Sequence, residues 1–443
     1  MRHNEVVQKL QSNFSTTKNL KESGIPWVGK IPKHWTLEKC KNFFTIRNVM
    51  VGDLWNQTRL LSLTLNGVIE RDINNPEGKF PSDFSTYQLV KKNDLVFCLF
   101  DVEETPRAIG LATLEGMITG AYTVISVQKQ DERFMAYFFI NLDNYKRLSF
   151  LYRGLRKTIS KEDLLNLKIP LPPLEEQKKI ADFLDTKTRQ IEEFITKKQK
   201  LITLLEEKKQ TLINQCVTQG LDSSTSLKDS GVEWLGKIPT HWEVRKLKHL
   251  GKFQNGINIG AEAFGSGSPF VSYGDVYKNS SLPKTIQGLV KSSEIDQKLY
   301  SVKKGDIFFT RTSETIEEIG MSSVCFQTIP NATFAGFLIR FRPSGNELDK
   351  GFSKFYFRSN LHRIFFIREN GLVTRASLSQ ELLKDLPVLL PPLEEQKAIA
   401  EYLDTQIEKI DLAICKIKSQ INLIKEYRTT LISEAVCGRV GID

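Results

Sequence analysis

Two histidines, His34 and His241, are the best candidates for chemistry in this 443-residue chain, since imidazole titrates near neutral pH, although no His stands at metal-ligand spacing. Each stands in the same frame, GKIPKHW at 29 to 35 and GKIPTHW at 236 to 242. A lone histidine beside a tryptophan reads first as a packed structural residue. No GK[ST] phosphate loop, GxGxxG turn, HExxH or GxSxG motif accompanies them, nor any Asn-Pro-Pro-aromatic stretch of the kind amino-methyltransferases carry. The remaining chemistry belongs to basic side chains in turns. GLRKTIS at 154 to 160 and GLVTRAS at 371 to 377 place Arg156 and Arg375 219 residues apart (375 − 156) at equivalent positions. Arginine and lysine in glycine-containing loops suit phosphate oxygens and, by paired hydrogen bonds, guanine edges. Charge and loop position extend the candidates to Arg47, Asn48, Arg107, Arg153, Arg156 and Lys157 in the first half and Arg311, Arg358 and Arg375 in the second. Solvated surface charge is the competing reading for each. The balance of 62 Lys+Arg against 52 Asp+Glu, +10, is compatible with a polyanionic partner.

The elements that position these residues come from an internal repeat. KESGIPWVGKIPKHW at 21 to 35 and KDSGVEWLGKIPTHW at 228 to 242 agree at ten of fifteen positions, 207 apart (228 − 21). LPPLEEQK occurs unchanged at 171 to 178 and 390 to 397. Its prolines stop what precedes and suit a first helical position, and Glu175, Glu176, Glu394 and Glu395 then fall where the helix dipole favours negative charge. In the second copy Leu403, Ile410, Ile417, Ile424 and Leu431 recur every seven residues, with Ile407, Ile414, Ile421 and Ala435 four later. That is a coiled-coil seam. The first copy gives Leu184, Ile191, Leu205 and Leu212 with Ile195 and Ile202, interrupted by Thr188, Lys198 and Lys209. Both helices should end at glycine, Gly220 and Gly438. Two such helices most simply pair with each other, and their separation in the sequence permits an antiparallel arrangement; the alternative is that each packs on its own domain or on another chain.

Between the markers the pattern is mixed. RLLSLTL (59 to 65), DLVFCLF (94 to 100) and YTVISVQ (122 to 128) read as strands, and RFMAYFFINL (133 to 142) as a helix. KKGDIFFT (303 to 310), GFLIRFR (336 to 342) and a late helix at KFYFRSNLHRIFF (354 to 366) echo them. The fold class is therefore α/β (α+β), with two globular domains joined by two long helices in a pseudo-two-fold tandem duplication. Six scattered cysteines without a CxxC pair read as buried free thiols. No run of eighteen apolar residues and no apolar leader is present, which points to a cytoplasmic protein away from the membrane.

Two GKIPxHW markers, two LPPLEEQK helix starts, long heptad helices and α/β segments between them resemble the specificity subunit of type I restriction-modification systems. The likeness covers about residues 21 to 440. It implies an N-terminal arm at 1–20, target recognition domains at 21–170 and 221–389, spacer helices at 171–220 and 390–438, and a tail at 439–443. Each recognition domain would read one half of a bipartite, asymmetric site in double-stranded DNA. The helices would form an antiparallel coiled coil that fixes the gap and docks two methyltransferase (M) subunits, joined by restriction (R) subunits. The chain would be non-catalytic and bind no cofactor, with S-adenosylmethionine, ATP and Mg on the partners. The alternative is a duplicated protein- or RNA-binding scaffold without DNA sequence specificity.

Overall fold

The computed structural model describes residues 19–72, 83–313, 319–370 and 376–441. The chain divides into two compact units, 1–198 with 418–443 and 199–417. The division cuts both long helices, so each unit owns the opening of one helix and the closing turns of the other rather than a recognition segment alone.

In the first unit an antiparallel sheet runs Phe44–Arg47, Thr123–Val127, Leu95–Phe97, Ile109–Leu111 in spatial order. The strands read in the sequence at 94 to 100 and 122 to 128 are its two central members. Helix Glu132–Asn144 follows, opened by Asp131, whose carboxylate accepts from the N–H groups of Arg133 and Phe134. Phe134, Met135, Phe138, Phe139 and Leu142 recur at helical spacing and are all buried. Phe139 lies 5.5 Å from Phe44 and 5.3 Å from Phe97, ring centre to ring centre, which fixes helix on sheet.

The second unit has a sheet in the corresponding order, Gly251–Asn255, Leu338–Pro343, Ile307–Thr310, Ser322–Val324. Beside it lies a small sheet, Leu289–Val290, Phe264–Val271 and Thr333–Phe334, over a separate core that includes Phe270, Phe308 and Phe334; the first unit instead has two two-stranded sheets, Leu61–Thr64 with Gly67–Glu70 and Gln88–Val90 with Gly116–Ile118. The late helix expected across 354 to 366 is two helices, Lys350–Tyr356 and Leu361–Asn370. Ser359 breaks it: both its backbone N–H and its hydroxyl turn back to the Tyr356 carbonyl, at 3.1 and 2.8 Å.

Each half returns to its marker before the long helix begins. Thr36–Lys39 pairs antiparallel with Lys168–Leu171, and Glu243–Lys246 with Pro387–Leu390. The long helices are Leu174–Gln219, 46 residues, and Leu393–Val436, 44 residues. Pro173 stands at the first helix mouth, its carbonyl accepting from the Gln177 N–H at 3.0 Å. Both helices stop at the expected glycines, Gly220 at φ +75° and Gly438 at φ +69°. Five cysteines are buried; Cys415, on the second long helix, is exposed, which departs from the buried-thiol expectation. Among the described residues no helix is long and apolar enough to cross a membrane.

Gly438 serves packing as well as geometry. A Cβ there would come within 2.5 Å of Pro32 and 2.8 Å of Trp35. Gly438→Ala should therefore destabilise by roughly 2–5 kcal/mol, combining a left-handed backbone with overpacking. Gly154→Ala, equally left-handed at φ +65° but with nothing within 4 Å of the added Cβ, should cost only ~1–2 kcal/mol. Urea unfolding of the two variants separates these costs.

Candidate nucleic-acid interface and the joints beneath it

The two repeated motifs meet each other. Trp35 is fully buried, so its indole N–H requires an acceptor, and Glu176 Oε1 supplies one at 3.0 Å. The other oxygen of the same carboxylate lies 2.7 Å from His34 Nε2. In the second unit Trp242 Nε1 donates to Glu395 Oε2 at 3.1 Å, with His241 Nε2 2.8 Å from that oxygen. The histidines thus serve a structural contact between the marker and the helix start. A glycine completes each joint: Gly438 packs against Trp35, and Gly220 against Trp242 and Glu395.

The next residue of LPPLEEQK makes a second lock. Gln177 is fully buried; its Oε1 accepts from the Asp131 N–H at 3.0 Å, and its Nε2 donates to Pro172 O at 2.8 Å and Gln130 Oε1 at 2.6 Å. Gln396, also fully buried, accepts from the Asp349 N–H at 2.8 Å and donates to Glu347 O and Pro391 O at 2.8 and 2.9 Å. Asp131 and Asp349 are themselves N-caps, so the glutamine ties the long helix to the helix that covers each sheet. Arg133 then reaches Asp182 and Asp185 at 2.7 and 2.8 Å, and Lys354 pairs with Asp404.

Seam residues interrupted in the sequence have partners. Thr188 lies 3.1 Å from the Tyr137 hydroxyl, Lys198 sits over the Phe194 ring, and Lys209 pairs with Asp411 of the second long helix at 2.8 Å. In the first unit Ile180, Ala181 and Leu184 share one core with Leu431, Ile432 and Ala435. In the second, Ile213, Cys216 and Val217 share one with Ile399 and Leu403.

The candidate contact residues fall into distinct settings. Arg47 backs onto Asp94 at 3.4 Å, where burial lifts the carboxyl above its usual range despite the nearby guanidinium. Asn48 beside it is exposed. Arg107 is turned inward, 15% exposed, donating to Asn144 at 2.9 Å and 3.6 Å from Asp143; burial pushes its pKa down. Arg358 donates to the Ser322, Val276 and Tyr277 carbonyls, and Arg311 to the Gly336 carbonyl at 3.2 Å. Arg375 lies outside the described residues. Among the described candidates only Arg153, Arg156 and Lys157 are gathered in one exposed turn, and each faces a carboxylate: Asp163 and Asp101 at 2.7 Å, and Glu103.

Reading the sequence missed Glu176, Glu395, Gln177 and Gln396 as contact residues, treating the glutamates as dipole partners only. The signal was available: two motifs repeated in the same order, one carrying a tryptophan that needs an acceptor and the other supplying carboxylates.

Residues 117–204 and 239–423 match the family of the type I restriction modification DNA specificity domain, and the chain belongs to that family. The putative type I restriction enzyme MjaX specificity subunit of Methanocaldococcus jannaschii is 25% identical over 444 residues, covering 95% of this chain and 96% of that one. The type I restriction enzyme EcoKI specificity subunit of Escherichia coli is 24% identical over 307 residues, 66% of this chain and 61% of that protein. Among solved structures, a chain from work on complex assembly and conformational transition of the type I R-M system matches with TM-score 0.68 at 15% identity, covering 93% of this chain and 99% of that one. The HsdS subunit from Thermoanaerobacter tengcongensis matches at 0.52 and 17%, covering 93% and 98%. At these identities the structures speak for the fold.

Gln177→Ala should destabilise the first unit by ~2–4 kcal/mol, because it strands the Asp131 N–H and the Pro172 carbonyl in a dry site. Chemical denaturation checks the value; a loss below about 0.5 kcal/mol would show that the lock is dispensable.

Proposed function

We propose that this chain is the DNA-reading subunit of a type I restriction-modification complex, recognising a bipartite, asymmetric duplex site with one half-site per lobe. The observation that carries this reading is the pair of matching joints. In each unit marker, helix start and closing glycine meet in the same way, while the segments between them differ in length, in sequence and in their smaller sheets, two-stranded in the first unit and including one of three strands in the second. A common frame with divergent inserts suits two modules that must be held alike but read differently. Family membership supplies the kind of target.

The long helices act as an antiparallel spacer. Support comes from each unit separately, where the opening turns of one helix share a core with the closing turns of the other, and from the cross-helix pairs Glu192–Arg428 and Lys209–Asp411. Modules on one duplex must keep a separation matched to its ~34 Å repeat, and paired helices resist bending between the joints. Two methyltransferase subunits dock on this frame and restriction subunits join them. S-adenosylmethionine, ATP and Mg act on those partners, so adenine methylation and cleavage take place away from this chain.

Adenine-methylation mapping with the neighbouring methyltransferase tests both parts. Exchanging residues 36 to 165 for those of a related chain should change one half of the methylated motif and leave the other. Inserting four residues into one long helix, about 6 Å of rise, should change the gap and neither half. Exchanges that alter both halves together, or insertions that leave the gap untouched, contradict the proposal.

A further inference from the structure

We infer that Arg156 is a guanine-reading arginine of the first lobe, with Asp101 and Phe100 as its positioning residues; this rests on the reading of that lobe as a DNA-binding module. Arg156 differs from the other exposed cations in how it is held. Its Nη2 and Nε donate to the two oxygens of Asp101 at 2.7 and 3.3 Å. Its guanidinium lies 5.6 Å from the Phe100 ring centre. The Asp101 N–H donates to the Arg156 carbonyl at 2.9 Å, so the two residues are tied through main chain and side chain at once. The pairing holds the Asp101 carboxyl below its usual range. Yet the Arg156 side chain is 71% exposed, and its Nη1 has no hydrogen-bond partner among the described residues. One edge of the guanidinium fork is occupied and the other faces outward.

The surrounding backbone is equally constrained. Arg153 and Thr158 exchange two backbone hydrogen bonds, at 2.9 and 3.0 Å, closing the turn. Asp101 and Lys157 both adopt left-handed backbone, at φ +46° and +43°, a region that residues with side chains rarely enter. Such strain persists where the surroundings over-determine it, and it concentrates at ligand sites. Leu155, at the apex, is wholly exposed, so the tip of the turn projects while Arg156 and Ile159 tie its base to Asp101 and Leu99 by main-chain hydrogen bonds of 2.9 and 2.8 Å.

Charge separates base reading from phosphate cladding. Arg153, Arg156 and Lys157 face Asp163, Asp101 and Glu103, three cations against three anions. A locally neutral turn adds little to sequence-independent attraction. A guanidinium already held in one orientation loses little rotamer freedom on binding, so its remaining donors discriminate between acceptors. Guanine presents O6 and N7 side by side in the major groove, the acceptor pair that two parallel N–H groups fit. Asp101 adds a penalty elsewhere: its carboxylate disfavours any pose that brings a phosphate close without the guanidinium between them.

The test uses the full chain assembled with its methyltransferase, on duplexes in which each base pair of the first half-site is exchanged in turn. One G·C pair should stand out, its exchange weakening binding roughly tenfold, with 7-deazaguanine at that position reproducing a several-fold part of the loss. In Arg156→Lys and Asp101→Asn that penalty should fall to about twofold, Asp101→Glu should restore part of it, and penalties across the second half-site should stay unchanged. If Asp101→Asn weakens cognate and random duplex by the same factor, or leaves the base-pair scan unaltered, the inference is overturned while DNA reading by the lobe stands. If the unaltered assembly fails to distinguish cognate from random duplex, the reading of the lobe fails and this inference with it.

Discussion

A buried indole N–H must have an acceptor, and in each unit that acceptor is the second glutamate of LPPLEEQK. Much else follows from this requirement. Satisfying Trp35 from Glu176 brings the marker strand beside the strand that enters the helix, and fixes where the helix begins relative to the lobe. The adjacent glutamine closes the opposite side by holding the N-cap of the helix that covers the sheet. Eight residues thereby set the direction in which a 46-residue helix leaves a globular body. The glycine that ends the other long helix packs onto the same tryptophan, so one indole ring organises three segments far apart in sequence.

This explains why the motif repeats without change while the segments between diverge. A buried glutamine with three hydrogen bonds tolerates few replacements, because each stranded partner is a separate penalty. The lobe surfaces carry no such requirement. Their cations are free to vary, and those of the first lobe's projecting turn are balanced by carboxylates close by. The chain's excess of +10 therefore overstates the positive charge that this turn offers a polyanion.

Much of the scaffold was legible in the sequence. The helix starts at LPP, the stops at Gly220 and Gly438 and the central strands of the first sheet follow from local chemistry, where proline, glycine and alternation act within a few residues. The interruptions of the first seam were legible only in part: a lysine such as Lys209 can be expected to face either solvent or an acidic residue, but Asp411, and Tyr137 beside Thr188, are placed there by packing alone. The split at Ser359 was not legible, since a side-chain hydroxyl competes there with the helix at a position that apolar spacing alone passes over. The candidate interface was the least legible part. Arg107 and Arg358 share the charge of Arg156 and like it fall near loops, but they face Asn144 and a set of carbonyls, and only tertiary packing distinguishes inward from outward. Asp101 carries no sequence signal, since its partner is 55 residues away.

The central claim is that this chain directs a partner's methylation to a particular DNA sequence. It is tested most directly by mapping methyladenine across a methylation-free genome in cells that express the neighbouring methyltransferase with and without this chain. The account predicts one bipartite motif, present only when the chain is present. The same methylation pattern in its absence would contradict the account.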